Sequence, residues 1–200
     1  MSTIAAPQNI SFPGFDNQFS TGSGYKDLLN MFNEGLQFVR PAHQQYQPQA
    51  TGTLEERLSH AKDLCKRKIA GVAMHLSEDF RRGFFIQIDS LMDAENWEED
   101  DKPITEASFT TLLRMLVHIK PDLRPGLGST SQGNIIATWT KDKDRLTIEC
   151  LPEDKVRWVL SRQFNGTRES AAGEILLNRL LAALTPYNPG NWFDNGSPKK

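Results

Sequence analysis

The residues able to do chemistry are few, and their spacing assigns them none. Four histidines, His43, His60, His75 and His118, are the first candidates for metal binding or proton transfer. A zinc site needs two or more nitrogen or sulfur ligands at helical or hairpin spacing. Here there is no HExxH and no CxxC, and neither Cys65 nor Cys150 stands within four residues of a histidine. Ordinary surface or half-buried histidines are the expectation, with no metal and no cofactor. The nucleophile elbow GxSxG is missing, and Cys150 belongs to an apolar strand face that raises a thiol pKa rather than activating it. The run from Gly126 to Gly133, GLGSTSQG, has the glycines and hydroxyls of a phosphate cradle. A cradle needs a strand before it and a helix after it, so that amides and the helix dipole meet the phosphate. Pro125 precedes this run, a strand pattern follows, and the Lys-Ser/Thr pair of a P-loop is missing, so a helix-to-strand loop is expected. No catalytic residue is assigned.

Charge and aromatic clusters point instead to binding. Asp93, Glu95, Glu98, Glu99, Asp100 and Asp101 surround Trp97. Metal and acid–base sites draw carboxylates from separate elements, whereas a contiguous run is a solvated loop or a docking surface. Lys62, Lys66, Arg67 and Lys68 share the polar side of one helix, and Ser197-Pro198-Lys199-Lys200 closes the chain. That pattern supports phosphate contacts as an alternative, although Glu55, Glu56 and Asp63 flank the basic face. Trp139 and Trp158 fall on inward strand positions and are expected in the core. Trp97 and Trp192 lie among polar residues, as interface anchors do.

The elements that must position these residues follow from periodicity. Residues 1–52 are rich in Gln, Asn, Ser, Gly and Pro and carry few charges, so they are expected to be a flexible interaction segment. Within them Leu28, Leu29, Phe32, Leu36 and Val39 recur at helical spacing until Pro41. A helix of about fifteen residues is marginal alone and forms by docking. Residues 53–185 read as the core domain. Thr53 and Glu56 have capping-box spacing, and Leu58, Ala61, Cys65, Val72 and Leu76 continue as a helix of about six turns, with a break near Gly71. A second helix is expected over 78–92, with a strand over 85–89 as the alternative. A third follows the Thr105 cap through Phe109, Leu112, Leu113, Leu116 and Val117. The period then changes to two. Ile135, Ala137 and Trp139, then Leu146, Ile148 and Cys150, then Val156, Trp158 and Leu160 line one face of three short strands. A helix over about 170–184 is expected to cover that meander, and residues 186–200 form an aromatic tail. The fold class is α+β: helices, a three-stranded antiparallel meander, and a covering C-terminal helix.

Composition narrows the classes. The chain has 200 residues, 23 basic against 25 acidic, and a formal charge of -2. No global field draws it to nucleic acid. No run reaches the length of a membrane span, and the opening residues do not read as a signal peptide, so no membrane association is expected. Two cysteines cannot staple a small fold, which suits a reducing cytoplasm. In that compartment the sequons Asn9-Ile10-Ser11 and Asn165-Gly166-Thr167 carry no meaning.

The stretches Arg124-Pro-Gly-Leu-Gly, Gly133-Asn-Ile, Ala137-Thr-Trp, Asp144 to Glu149 and Lys155-Val-Arg-Trp158 together resemble the strand core of certain small, uncharacterised bacterial proteins. Those carry a Pro-containing loop and an Asp-Gly turn before a strand ending in Trp; this chain has Gln132-Gly133 at the turn. The resemblance implies a bacterial source and a non-enzymatic role. The expectation is therefore a non-catalytic bacterial protein-binding module, of the antitoxin, immunity or defence-partner kind. Its contact residues are expected to be Leu28, Phe32, Leu36, Val39, Trp97, Glu98, Glu99 and Trp192. The alternative is a nucleic-acid-binding regulator using Lys62, Lys66, Arg67 and Lys68.

Overall fold

The computed structural model describes residues 52–194, so Leu28, Phe32, Leu36 and Val39 lie outside the described residues. Three helices open this part of the chain. Helix α1 spans Leu54–Gly71 and begins with the expected capping box. The Glu56 amide donates to Thr53 Oγ1 at 3.3 Å, and the Thr53 amide donates to Glu56 Oε2 at 3.1 Å. The helix stops at Gly71, and a single tight turn, Ala73–His75, leads to α2, Glu78–Leu91. Phe80, Phe84 and Ile88 are buried on α2, so the helical period prevails over the alternating pattern at Phe85–Asp89. Helix α3, Glu106–Ile119, is capped by Thr105 and buries eight of its 14 residues, from Ser108 to Val117.

Burial on nearly every side makes α3 the central element. Phe109 stacks on Phe84 of α2 with centroids 6.2 Å apart. Its other side meets the sheet through a hydroxyl clamp. Ser108 Oγ donates to the Cys150 carbonyl at 2.6 Å and accepts from the Ile135 amide at 2.8 Å. Thr111 Oγ1 donates to the Leu151 carbonyl at 2.7 Å.

Among the described residues the sheet has five antiparallel strands in sequential order: β1 (Gly126–Ser129), β2 (Ile135–Lys141), β3 (Asp144–Cys150), β4 (Lys155–Phe164) and β5 (Thr167–Leu176). The α+β class stands, but the expected three-stranded meander gains a strand at each edge. At one edge, Gly126-Leu-Gly128 is a strand rather than a loop. It pairs Leu127 with Ala137 on the inner face and leaves both glycines outward. At the other edge, residues expected to form a covering helix extend as β5 along the whole of β4. Glu, Ala and Leu favour helix locally, yet the Asn165-Gly166 turn, with φ 50° and 78°, folds the chain straight back. From that expectation a 3-10 turn, Leu177–Arg179, and the short helix α4, Leu180–Leu184, remain helical, burying Leu177, Leu180 and Leu184.

Register sets two faces. Ile135, Cys150, Val156 and Ile175 align across the inner face, as do Ala137, Ile148, Trp158 and Gly173. The outer face carries Thr138, Thr147, Val159 and Ala172 in one row, and Ile136, Glu149, Arg157 and Glu174 in the next. Residues 186–194 pack on the core rather than trailing from it. Helix α5, Gly190–Phe193, places Phe193 edge-on to Trp139 at 5.1 Å, and the Phe193 carbonyl accepts from the Asp122 amide at 2.7 Å.

Candidate binding groove at the β1–β2 edge

The two outward glycines of β1 help to form a broad concavity. With no Cβ at Gly126 or Gly128, the outer side of β1 is bare backbone, and Ile136 and Thr138 of β2 form a floor beside it. Strand β1 ends before β2 does, so Thr140 and Lys141 project past it. The resulting groove has a volume of about 630 Å³.

Three cations rim it. Arg124, Lys141 and Arg145 are exposed, and none has an ion-pair partner among the described residues. Arg124 is positioned by an omission on α2. A side chain at Gly83 would occupy the place of the Arg124 guanidinium. Glycine inside a helix costs about 1 kcal/mol relative to alanine, so the close approach accounts for a residue that propensity disfavours. Gln87, one turn further along α2, donates to the Pro125 carbonyl at 2.8 Å and ties the helix to the start of β1.

Trp192 also lines the groove, which corrects its expected place on the surface. It is 2 % exposed and belongs to the core beneath the β2 end. Among the described residues its buried indole Nε1 has no hydrogen-bond partner, which is costly.

Trp97 is half-buried, and its Nε1 donates to the Leu91 carbonyl at 2.7 Å. It lines a second cleft of about 430 Å³, which shares Gly126 and Leu127 with the first. Glu98 and Glu99 are exposed, and the Glu99 carbonyl accepts from Arg57 at 3.0 Å, pinning the acidic loop to α1. Two of the four residues of the α1 basic face are neutralised. Lys66 meets Asp89 at 2.6 Å, and Lys68, with its side chain 11 % exposed, meets Glu106 at 2.9 Å. Lys62 is half-buried and Arg67 exposed on the same helix.

Both thiols lie deep in the core. Burial pushes the Cys65 thiol up to about 12, and Cys150 is raised still further by burial and by the neighbouring Glu149 charge. Neither supplies a thiolate at neutral pH. Among the described residues no group of three or more His, Cys, Asp or Glu is placed to hold a metal, and no helix is long and apolar enough to cross a membrane. The groove cations read in the sequence as loop and outward strand residues, because Arg124 lies far along the chain from the β2–β3 hairpin that carries Lys141 and Arg145. The paired glycines were visible, and their alternation around Leu127 is the strand signal they carried.

Comparison of the chain with protein-family models, curated proteins and solved structures returned no match.

Proposed function

We propose that this chain is a non-catalytic binding protein whose described surface recognises an acidic, extended polypeptide segment at the β1–β2 groove. The observation that carries the reading is the conjunction of Arg124, Lys141 and Arg145, all unneutralised, around a strand stripped of side chains. Bare backbone admits close approach of a partner chain, and a carboxylate-bearing partner satisfies the rim. The floor of Ile136 and Thr138 suits alternate side chains of an extended segment.

A polypeptide is favoured over nucleic acid on two grounds. Trp139 and Trp158 are buried and offer no stacking platform on the open face, and the α1 basic residues are half spent on Asp89 and Glu106. The expected N-terminal stripe of Leu28, Phe32, Leu36 and Val39 supplies a second, apolar anchor in the same proposal. Two buried free thiols suit a reducing compartment such as the cytoplasm, and an antitoxin or immunity protein is the kind of bacterial protein that fits.

Fluorescence anisotropy tests the reading with a labelled peptide alternating Glu with Val and Thr, its Lys-for-Glu counterpart, and a single-stranded oligonucleotide. The acidic peptide is expected to bind at low salt, and Arg145→Glu with Lys141→Glu to abolish that binding. Binding that ignores the charge reversals removes the groove from the proposal. Preference for the oligonucleotide transfers the site to the nucleic-acid alternative.

A further inference from the structure

Among the described residues, strand β5 is the long free edge of the sheet and pairs only with β4. Its hairpin is closed by the two-residue Asn165-Gly166 turn, which makes Phe164 and Thr167 a hydrogen-bonded pair. Alternation from that pair turns the backbone N–H and C=O of Arg168, Ser170, Ala172 and Glu174 away from β4, toward the open edge. The same four residues carry their side chains on the outer face, where all are exposed. A ten-residue edge with no proline offers a template for another strand.

We infer that this edge pairs antiparallel with the β5 edge of a second copy, about a twofold axis through Ala171. The occupant follows from the charges. Glu149, Arg157 and Glu174 alternate in sign across the outer face, with Arg157 Nη1 3.0 Å from Glu149 and Nη2 3.0 Å from Glu174. The ladder stops at Glu174, at the sheet edge. Arg168, at the other end of β5, has no ion-pair partner among the described residues.

A twofold perpendicular to the sheet keeps inner face on inner face only when it passes through a residue. An axis through Arg168, Glu169 or Glu174 sets like charges opposite each other. Through Ser170, Ala172 or Gly173 it leaves Arg168 and Glu174 unmatched. Through Ala171 it places Arg168 of each copy opposite Glu174 of the other, twice, and continues the alternating ladder across the junction. Ser170 then faces Ala172, and Glu169 faces Gly173, so small side chains fill the centre and no carboxylate meets another. The two meanders become one continuous sheet.

Light scattering and sedimentation of the full chain across a concentration series at low salt test the inference. A concentration-dependent dimer is expected. Arg168→Glu faces Glu174 with a like charge at both ends and should weaken association by about tenfold or more. Ala172→Pro removes an N–H that points at the edge and should leave a monomer with its β4 pairing intact, checked by an unchanged circular dichroism spectrum. A wild-type chain that stays monomeric throughout overturns the inference. So does a dimer indifferent to both substitutions, because its interface then lies elsewhere.

Discussion

Gly173 stands directly opposite Trp158 in the β4–β5 pair, and the indole fills the space that a side chain at 173 would need. A Cβ there would lie 3.0 Å from Trp158 Nε1 and 3.1 Å from Cε2, tighter than ordinary van der Waals contact, so the indole would have to give way. The indole is held on its other side by Tyr187, with ring centroids 6.0 Å apart. Glycine is a poor strand former, so its place here is a packing requirement rather than a turn signal.

That relationship fixes two substitutions and their coupling. Gly173→Val should cost about 1–3 kcal/mol by overpacking, and Trp158→Ala about 3–5 kcal/mol by leaving a cavity. Combined, they should cost less than their sum, since the valine occupies part of the vacated space. Urea denaturation of the three variants checks this. Strict additivity would mean that the two positions do not touch.

His118 makes stability pH-dependent. It sits near the end of α3, half-buried, and burial pulls its pKa below the usual 6.5. Protonation is then easier in the unfolded chain than in the folded one, so the unfolded state binds more protons as the pH falls. The neutral imidazole's contribution is complete above pH 6.5 and is lost as the pH drops from there through the folded pKa. The melting temperature is expected to fall on acidification across that window. His118→Gln should remove that part of the decline. An unchanged pH profile in the variant would assign the decline to carboxylates instead.

The N-terminal stripe has its own discriminating experiment. If those anchors serve a partner's groove, as proposed, Phe32→Ala with Leu36→Ala should abolish co-purification of a bound partner and leave the melting temperature of the isolated protein unchanged. A lowered melting temperature would place the stripe on this chain's own helices. If neither quantity moves, the segment is a tether.

How much of this was legible beforehand depended on whether local and tertiary preferences agreed. The capping box at Thr53 and Glu56, the α3 stripe and the inward rows of β2, β3 and β4 all obey periodicity and burial together, and each forms where expected. The two edge strands set these preferences against each other. Gly126 and Gly128 have no strand propensity, and they pair because β2 presents an unsatisfied edge beside them. Ser170, Ala171, Ala172 and Glu174 favour helix, but the ten-residue register with β4 overrides that preference. The deciding signal was Asn165-Gly166, which reads as a sequon or as a hairpin turn, and here it is the turn. Trp192 looked exposed because polar residues, Pro and Gly surround the Trp192-Phe193 pair in sequence, while in space both belong to the core. The groove drew on residues from separate strands, so no local window contained it.

The central placement of α3 carries a consequence for synthesis. Phe109, Leu112, Met115 and Leu116 leave the ribosome before any described strand that covers them, and Trp192 and Phe193, which close the same core, follow later still. At about 5–20 residues per second, α3 spends seconds as a helix apolar on nearly every side, with α1 and α2 the described elements already made. The nascent chain therefore exposes this apolar surface before the strands that bury it exist. Holdase chaperones should meet this protein at that interval, and a chain cut short within β3 should aggregate rather than fold.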